Sequence, residues 1–90
     1  MRLEGKTAIV TGSGSGFGEG IALTLAREGA AVIVNDVNTD GGNRVASEIT
    51  DGGGRAIFVD ADVTSADDVQ AMVDQAVEAF GGLDILINNA

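Results

Sequence analysis

Ala8-Ile9-Val10-Thr11-Gly12-Ser13-Gly14-Ser15-Gly16-Phe17-Gly18-Glu19-Gly20 decides how this chain is read. Three consecutive apolar residues, not alternating with polar ones, describe a short strand covered on both faces, as in a parallel sheet. A glycine-dense turn follows. Beyond it, Ile21, Ala22, Leu25 and Ala26 recur at helical spacing, which predicts a helix over about Phe17 to Glu28 with Gly29 as its C-terminal stop. A strand that runs through glycines into a helix aims backbone N–H groups at an anion, and the helix dipole adds to the attraction. The same composition in isolation would describe a flexible linker; its place between an apolar strand and an amphipathic helix favours a phosphate loop.

The spacing narrows the kind of loop. Counting from Gly12 or Gly14, the last glycine of a G-x-G-x-x-G fingerprint falls on Phe17 or Glu19, and no G-K-S/T follows for a Walker loop. What fits is Thr-Gly-x-x-x-Gly-x-Gly at Thr11, Gly12, Gly16 and Gly18.

Outward from the loop, the same unit repeats. Ala31-Val32-Ile33-Val34 forms a second buried strand ending in Asn35-Asp36, and Val45, Ala46 and Ile49 share one face of a helix whose start is blurred by Gly41 and Gly42 and whose end is Gly52-Gly53-Gly54. Ala56-Ile57-Phe58-Val59 is a third strand. Val69, Met72, Val73, Ala76, Val77 and Phe80 then lie at i, i+3, i+4, i+7, i+8 and i+11, six side chains expected to be buried on one helix face. Ser65 with Asp68 opens that helix as a capping box with Asp for Glu, and Gly81-Gly82 closes it. Ile85-Leu86-Ile87 is the fourth strand. Right-handed crossovers turn this order into an α/β fold: a parallel four-stranded sheet with the first and last strands as neighbours, in the order 3-2-1-4, and three helices on its two faces, occupying residues 1–90 as one domain.

Composition excludes several functions. The 90 residues carry fourteen acidic and five basic side chains, a net charge of −9, which repels nucleic acid and anionic lipid. No stretch approaches a membrane span or a signal peptide, so the expected setting is soluble and cytoplasmic. Cysteine, histidine, tyrosine and tryptophan are absent, which removes thiolate metal sites and two common general acids and bases. The acidic cluster Asp60, Asp62, Asp67 and Asp68 fails as a calcium loop: counted from Asp60, Ser65 stands where glycine is needed and Ala71 where a bidentate glutamate is needed. No metal site and no catalytic residue are expected.

Asp36 closes the second strand eighteen positions beyond Gly18, where a carboxylate accepts hydrogen bonds from an adenosine ribose. Its charge disfavours a 2′-phosphate, and neither Ser15 nor Val37 supplies a compensating cation, so NAD is expected rather than NADP. A solvated acid at a strand end is the plainer alternative.

Together, the Thr11 to Gly18 loop, Asp36, Asp62-Val63 after the third strand and Asn88-Asn89-Ala90 after the fourth resemble the short-chain dehydrogenase/reductases over the whole chain. Phe17 stands where that family more often has isoleucine or leucine. The resemblance implies that the chain is the N-terminal half of a doubly wound Rossmann fold, that Asp62 and Val63 contact the adenine ring and that Asn88, Asn89 and Ala90 shape the cofactor groove and tie the central strands. With Gly12, Ser15, Gly16, Phe17, Gly18 and Asp36 these form the expected cofactor site. It also implies that the family's catalytic serine and Tyr-x-x-x-Lys lie beyond this stretch, so the expectation is an NAD-binding module of an oxidoreductase, without catalysis of its own. A second expectation is self-association: Ile85-Leu86-Ile87 at the sheet edge would recruit another copy as a homodimer or a domain-swapped oligomer.

Overall fold

The computed structural model describes residues 2–89. Strand β1 (Thr7–Val10) leads through the glycine turn to α1 (Gly16–Arg27), followed by β2 (Ala31–Asn35), α2 (Thr39–Asp51), β3 (Arg55–Val59), α3 (Ala66–Phe80) and β4 (Ile85–Ile87). The strands form one parallel sheet in the order β3-β2-β1-β4, as the alternating strand–helix pattern requires. Ile9 lies beside Ile33 on one side and Leu86 on the other.

Two cores sit on the two faces of this sheet. Val10, Val32 and Val34 point to the face covered by Ala22 of α1 and by Val45 and Ile49 of α2. Ile9 and Ile33, one residue out of phase, point to the opposite face and meet Met72 and Ala76 of α3. Because both faces are covered, β1 and β2 are buried throughout, which is why their sequences read as unbroken apolar runs.

One detail of α2 explains the expected pattern and two of α3 depart from it. The glycines that blur the start of α2 lie within its first turn, where the backbone is pressed against neighbours: a Cβ on Gly42 would collide with the Phe58 ring of β3. Helix propensity there is subordinate to close packing. Of the six α3 side chains expected to be buried, only Met72 and Ala76 are; Val69, Val73 and Phe80 are half-buried and Val77 is half-exposed. The apolar stripe of α3 is wider than the sheet surface beneath it. Its start also forms only half a capping box: Ser65 Oγ accepts the Asp68 N–H at 3.2 Å, but the Asp68 carboxylate turns to the N–H of Asp62, at 2.9 Å.

Strand β4 is tied to β1 at both ends. At one, the Asp84 carboxylate accepts the Thr7 N–H at 2.9 Å and the Asp84 N–H donates to the Thr7 carbonyl, also at 2.9 Å. At the other, Thr11 N–H donates to the Ile87 carbonyl at 3.0 Å. Leu86, in register with Ile9 on the α3 face of the sheet, is exposed.

Candidate functional site

The carboxyl ends of all four strands converge on the glycine turn. Gly12 and Gly16 both lie in the left-handed region, at φ 62° and 60°, and it is the turn at Gly16 that brings the chain into α1. Gly18 is required for a different reason. A Cβ there would run into the Gly12 carbonyl and come within 2.7 Å of Asn89 Nδ2, so its lack of a side chain lets α1 pack against its own entry loop.

The N-terminus of α1 differs from those of its two neighbours. Asn38 Oδ1 caps α2 through the Gly41 N–H, and Ser65 Oγ caps α3, whereas the Ser15 side chain makes no capping bond to α1. The first-turn N–H groups of a helix have no intrahelical acceptor. At α1 they face the loop, with Phe17 beside them and 88% exposed.

Asp36 lies at the mouth of this turn, half-buried, its Oδ2 accepting the Gly14 N–H and its Oδ1 the Asn38 N–H, each at 2.9 Å. A carboxylate offers about four lone-pair sites, so two remain for further donors. Behind it lies a buried network that the sequence reading missed. Ser13 Oγ donates to the Val10 carbonyl at 2.6 Å and accepts the Asn35 N–H at 3.0 Å, and Asn35 Nδ2 donates to the Val59 and Ala61 carbonyls at 3.0 and 3.2 Å. These bonds join the loop, the end of β2 and the end of β3 into one unit. The available signal was a polar residue closing a doubly buried strand, since a buried amide must find partners.

Beyond β3, Asp62 Oδ1 accepts from both the N–H and the hydroxyl of Thr64, at 2.8 and 2.6 Å. Those two bonds, the hydroxyl's first, hold its carboxyl below the usual carboxylate range. Val63, half-buried, joins Thr11, Val69, Met72, Leu86 and Asn88 around a cavity of about 300 Å³. Thr11 is the link to β4: its hydroxyl donates toward Asn88 Oδ1 at 3.3 Å and accepts the Asn89 N–H at 2.9 Å, while Asn89 Nδ2 reaches the Gly12 carbonyl at 3.3 Å. The structure thus brings Gly12, Ser15, Gly16, Phe17, Gly18, Asp36, Asp62, Val63, Asn88 and Asn89 to one end of the sheet. Ala90 lies outside the described residues.

Residues 6–90 match the family model described as short chain dehydrogenase. The chain belongs to that family. Among curated short-chain dehydrogenase relatives, the 7alpha-hydroxysteroid dehydrogenase of Escherichia coli K12 is 47% identical over 90 residues, which are 100% of this chain and 35% of the relative. An uncharacterized oxidoreductase of Mycobacterium tuberculosis is 54% identical over 87 residues, 97% of this chain and 35% of that protein. This short-chain dehydrogenase sequence therefore spans about a third of the length of the curated relatives it matches. A crystal structure of the Escherichia coli hydroxysteroid dehydrogenase superposes with a TM-score of 0.94 at 47% identity, covering 99% of this chain and 38% of that one. A 7 alpha-hydroxysteroid dehydrogenase complexed with NADH and 7-oxo glycochenodeoxycholic acid gives 0.90 at 46% identity, covering 94% and 33%. Among the described residues of the chain, no helix is long and apolar enough to cross a membrane.

Proposed function

We propose that this chain binds the adenosine-pyrophosphate part of NAD, as the cofactor-binding portion of an oxidoreductase acting on an alcohol or carbonyl. The observation that carries the reading is the uncapped start of α1 placed beside a fixed Asp36 carboxylate. The N–H groups following Ser15, at Gly16, Phe17 and Gly18, receive the pyrophosphate, to which the helix dipole contributes roughly 0.3–1 kcal/mol per charge. Asp36 accepts the adenosine ribose hydroxyls, and its charge repels a 2′-phosphate, so NAD is preferred to NADP. Asp62 and Val63 border the adenine, and Asn88 and Asn89 close the groove from β4. The dinucleotide supplies a hydride acceptor or donor at its nicotinamide; the residues of this chain hold and orient its other half.

The residues fit that ligand chemically. Backbone donors meet the anion without a cation, the carboxylate keeps acceptor capacity for hydroxyls, and the cavity beside Val63 is lined mainly by apolar side chains. Self-association through β4 has less behind it, because that strand is three residues long and only Leu86 is exposed.

Calorimetric titration with NAD, NADP and ADP-ribose tests the reading. NAD and ADP-ribose should bind, NADP more weakly, and Asp36→Ala should weaken NAD by about 10- to 100-fold, the loss expected for hydrogen bonds to a charged acceptor. Equal heats from the unmodified chain and Asp36→Ala, or no saturable heat with NAD, would refute it.

A further inference from the structure

Arg44 belongs to none of the positions assigned above, yet among the described residues it is the one basic side chain near the loop. Among the described residues the other cations are Arg2 and Lys6 before β1, Arg27 at the end of α1 and Arg55 at the start of β3, and parallel strands put all of these at the opposite end of the sheet. Helix α2 begins near the loop, and Arg44 lies in its second turn.

Its guanidinium acts as a fork. Nη2 and Nη1 donate to Oε1 and Oε2 of Glu19 on α1 at 2.7 and 3.1 Å, and Nη2 also donates to the Gly14 carbonyl at 3.3 Å. Glu48 stands 3.8 Å from Nη1 on the other side. The hydrogen bonds and charge of Arg44 hold the Glu19 carboxyl below its usual range, so the pair is ionised at neutral pH. The close approach of α2 depends on Gly41, where a Cβ would lie 2.7 Å from the Gly14 carbonyl oxygen.

Gly14 is consequently held on both sides. The peptide before it is fixed by its N–H bond to Asp36, and the peptide after it by its carbonyl bond to Arg44. In a trans peptide the N–H points opposite to the C=O, so a Gly14 carbonyl turned to α2 sends the Ser15 N–H away from α2. Without these two bonds a glycine is the residue most free to turn.

We propose that Arg44 is a positioning residue for the dinucleotide, acting through the Gly14–Ser15 peptide, which it holds in the orientation the phosphate loop needs. This rests on the NAD reading above. Losing the bond leaves the cofactor to order the loop, and ordering one residue's backbone corresponds to about 5- to 30-fold in affinity.

The test compares Arg44→Met, which keeps the reach of the stem without a donor, with Arg44→Lys, which keeps a cation. Each is titrated with NAD, and amide exchange is followed by NMR at Gly14, Val32 and Ile33. The expected result is NAD binding weakened about 5- to 30-fold in Arg44→Met, tighter binding in Arg44→Lys than in Arg44→Met, and faster exchange at Gly14, whose N–H is held by Asp36, with Val32 and Ile33 unchanged. Affinity in Arg44→Met equal to that of the unmodified chain, equal affinities in the two variants, or faster exchange in the β2 amides as well would overturn it, the last because the role would then be general stability. If the unmodified chain fails to bind NAD, the cofactor reading falls by itself. Faster Gly14 exchange in Arg44→Met then still supports the positioning role, and unchanged exchange rejects it.

Discussion

Gly18 and Gly20, two residues apart in α1, should respond to the same substitution with opposite signs. Replacing a helix-interior glycine by alanine gains about 0.8–1.0 kcal/mol in helix propensity, because the backbone has less freedom to lose. At Gly20 a Cβ meets nothing within 4 Å, so Gly20→Ala should stabilise the fold by nearly that amount. At Gly18 the added methyl collides with the Gly12 carbonyl, a backbone atom that cannot turn aside, and crowds Asn89 Nδ2 at 2.7 Å. Overpacking of this kind costs typically about 1–3 kcal/mol, and a backbone clash lies at or above the upper end. The propensity gain offsets only part of it, leaving Gly18→Ala less stable than the unmodified chain by about 2 kcal/mol or more. Urea unfolding followed by circular dichroism would measure both, with a shift in midpoint at unchanged slope. A Gly18→Ala chain as stable as Gly20→Ala would refute the argument that Gly18 is glycine because of packing.

Three further outcomes follow from the same geometry. Ser13→Ala strips the Asn35 N–H and the Val10 carbonyl of a buried partner and should cost about 1–3 kcal/mol, measured by chemical denaturation. Gly42→Ala should destabilise through its collision with the Phe58 ring, and Phe58→Leu added to it should recover part of the loss, a coupling read from a double-mutant cycle. Thr64→Val should raise the titration of the Asp62 carboxyl toward the ordinary value, as followed by carboxyl carbon NMR, because the hydroxyl bond is its largest depressing cause. The sign on stability is that of a depressed acid: the contribution is complete above the unfolded pKa and disappears as pH falls through the folded one, so the difference between the two chains should vanish in acid.

The fold was legible because its signals were redundant. Unbroken apolar runs at Ala8–Val10 and Ala31–Val34, separated by helical periodicity and glycine stops, leave few topologies once crossovers are right-handed. The convergence of the loop, Asp36, Val63 and Asn88 could also be read, since in parallel sheets residues after each strand share one end. What stayed hidden depended on side-chain direction. The sequence marks Asn35 as polar but not that its amide reaches the carbonyls of Val59 in β3 and Ala61 just beyond it, and nothing in the pattern around Arg44 says that it crosses to Glu19 and Gly14. The excess breadth of the α3 stripe was equally invisible, because periodicity reports which residues share a face and not how much surface opposes that face.

The double tether between β1 and β4 has a kinetic meaning. The Thr7 and Asp84 bonds close a loop of 77 positions in sequence, whereas β1 meets β2 across only 24 in the register of Thr7 with Ala31. Long closures are made late because their entropy is lost before their contacts form. As the chain leaves the ribosome, the β1–β2 unit with its glycine loop can assemble first, and Thr11 gains its bonds to Asn88 and Asn89 only once β4 has arrived. The order of synthesis therefore forms the β1–β2 end of the sheet before β4 joins it, and the Thr11 hydroxyl bonds form later than the β1–β2 contacts.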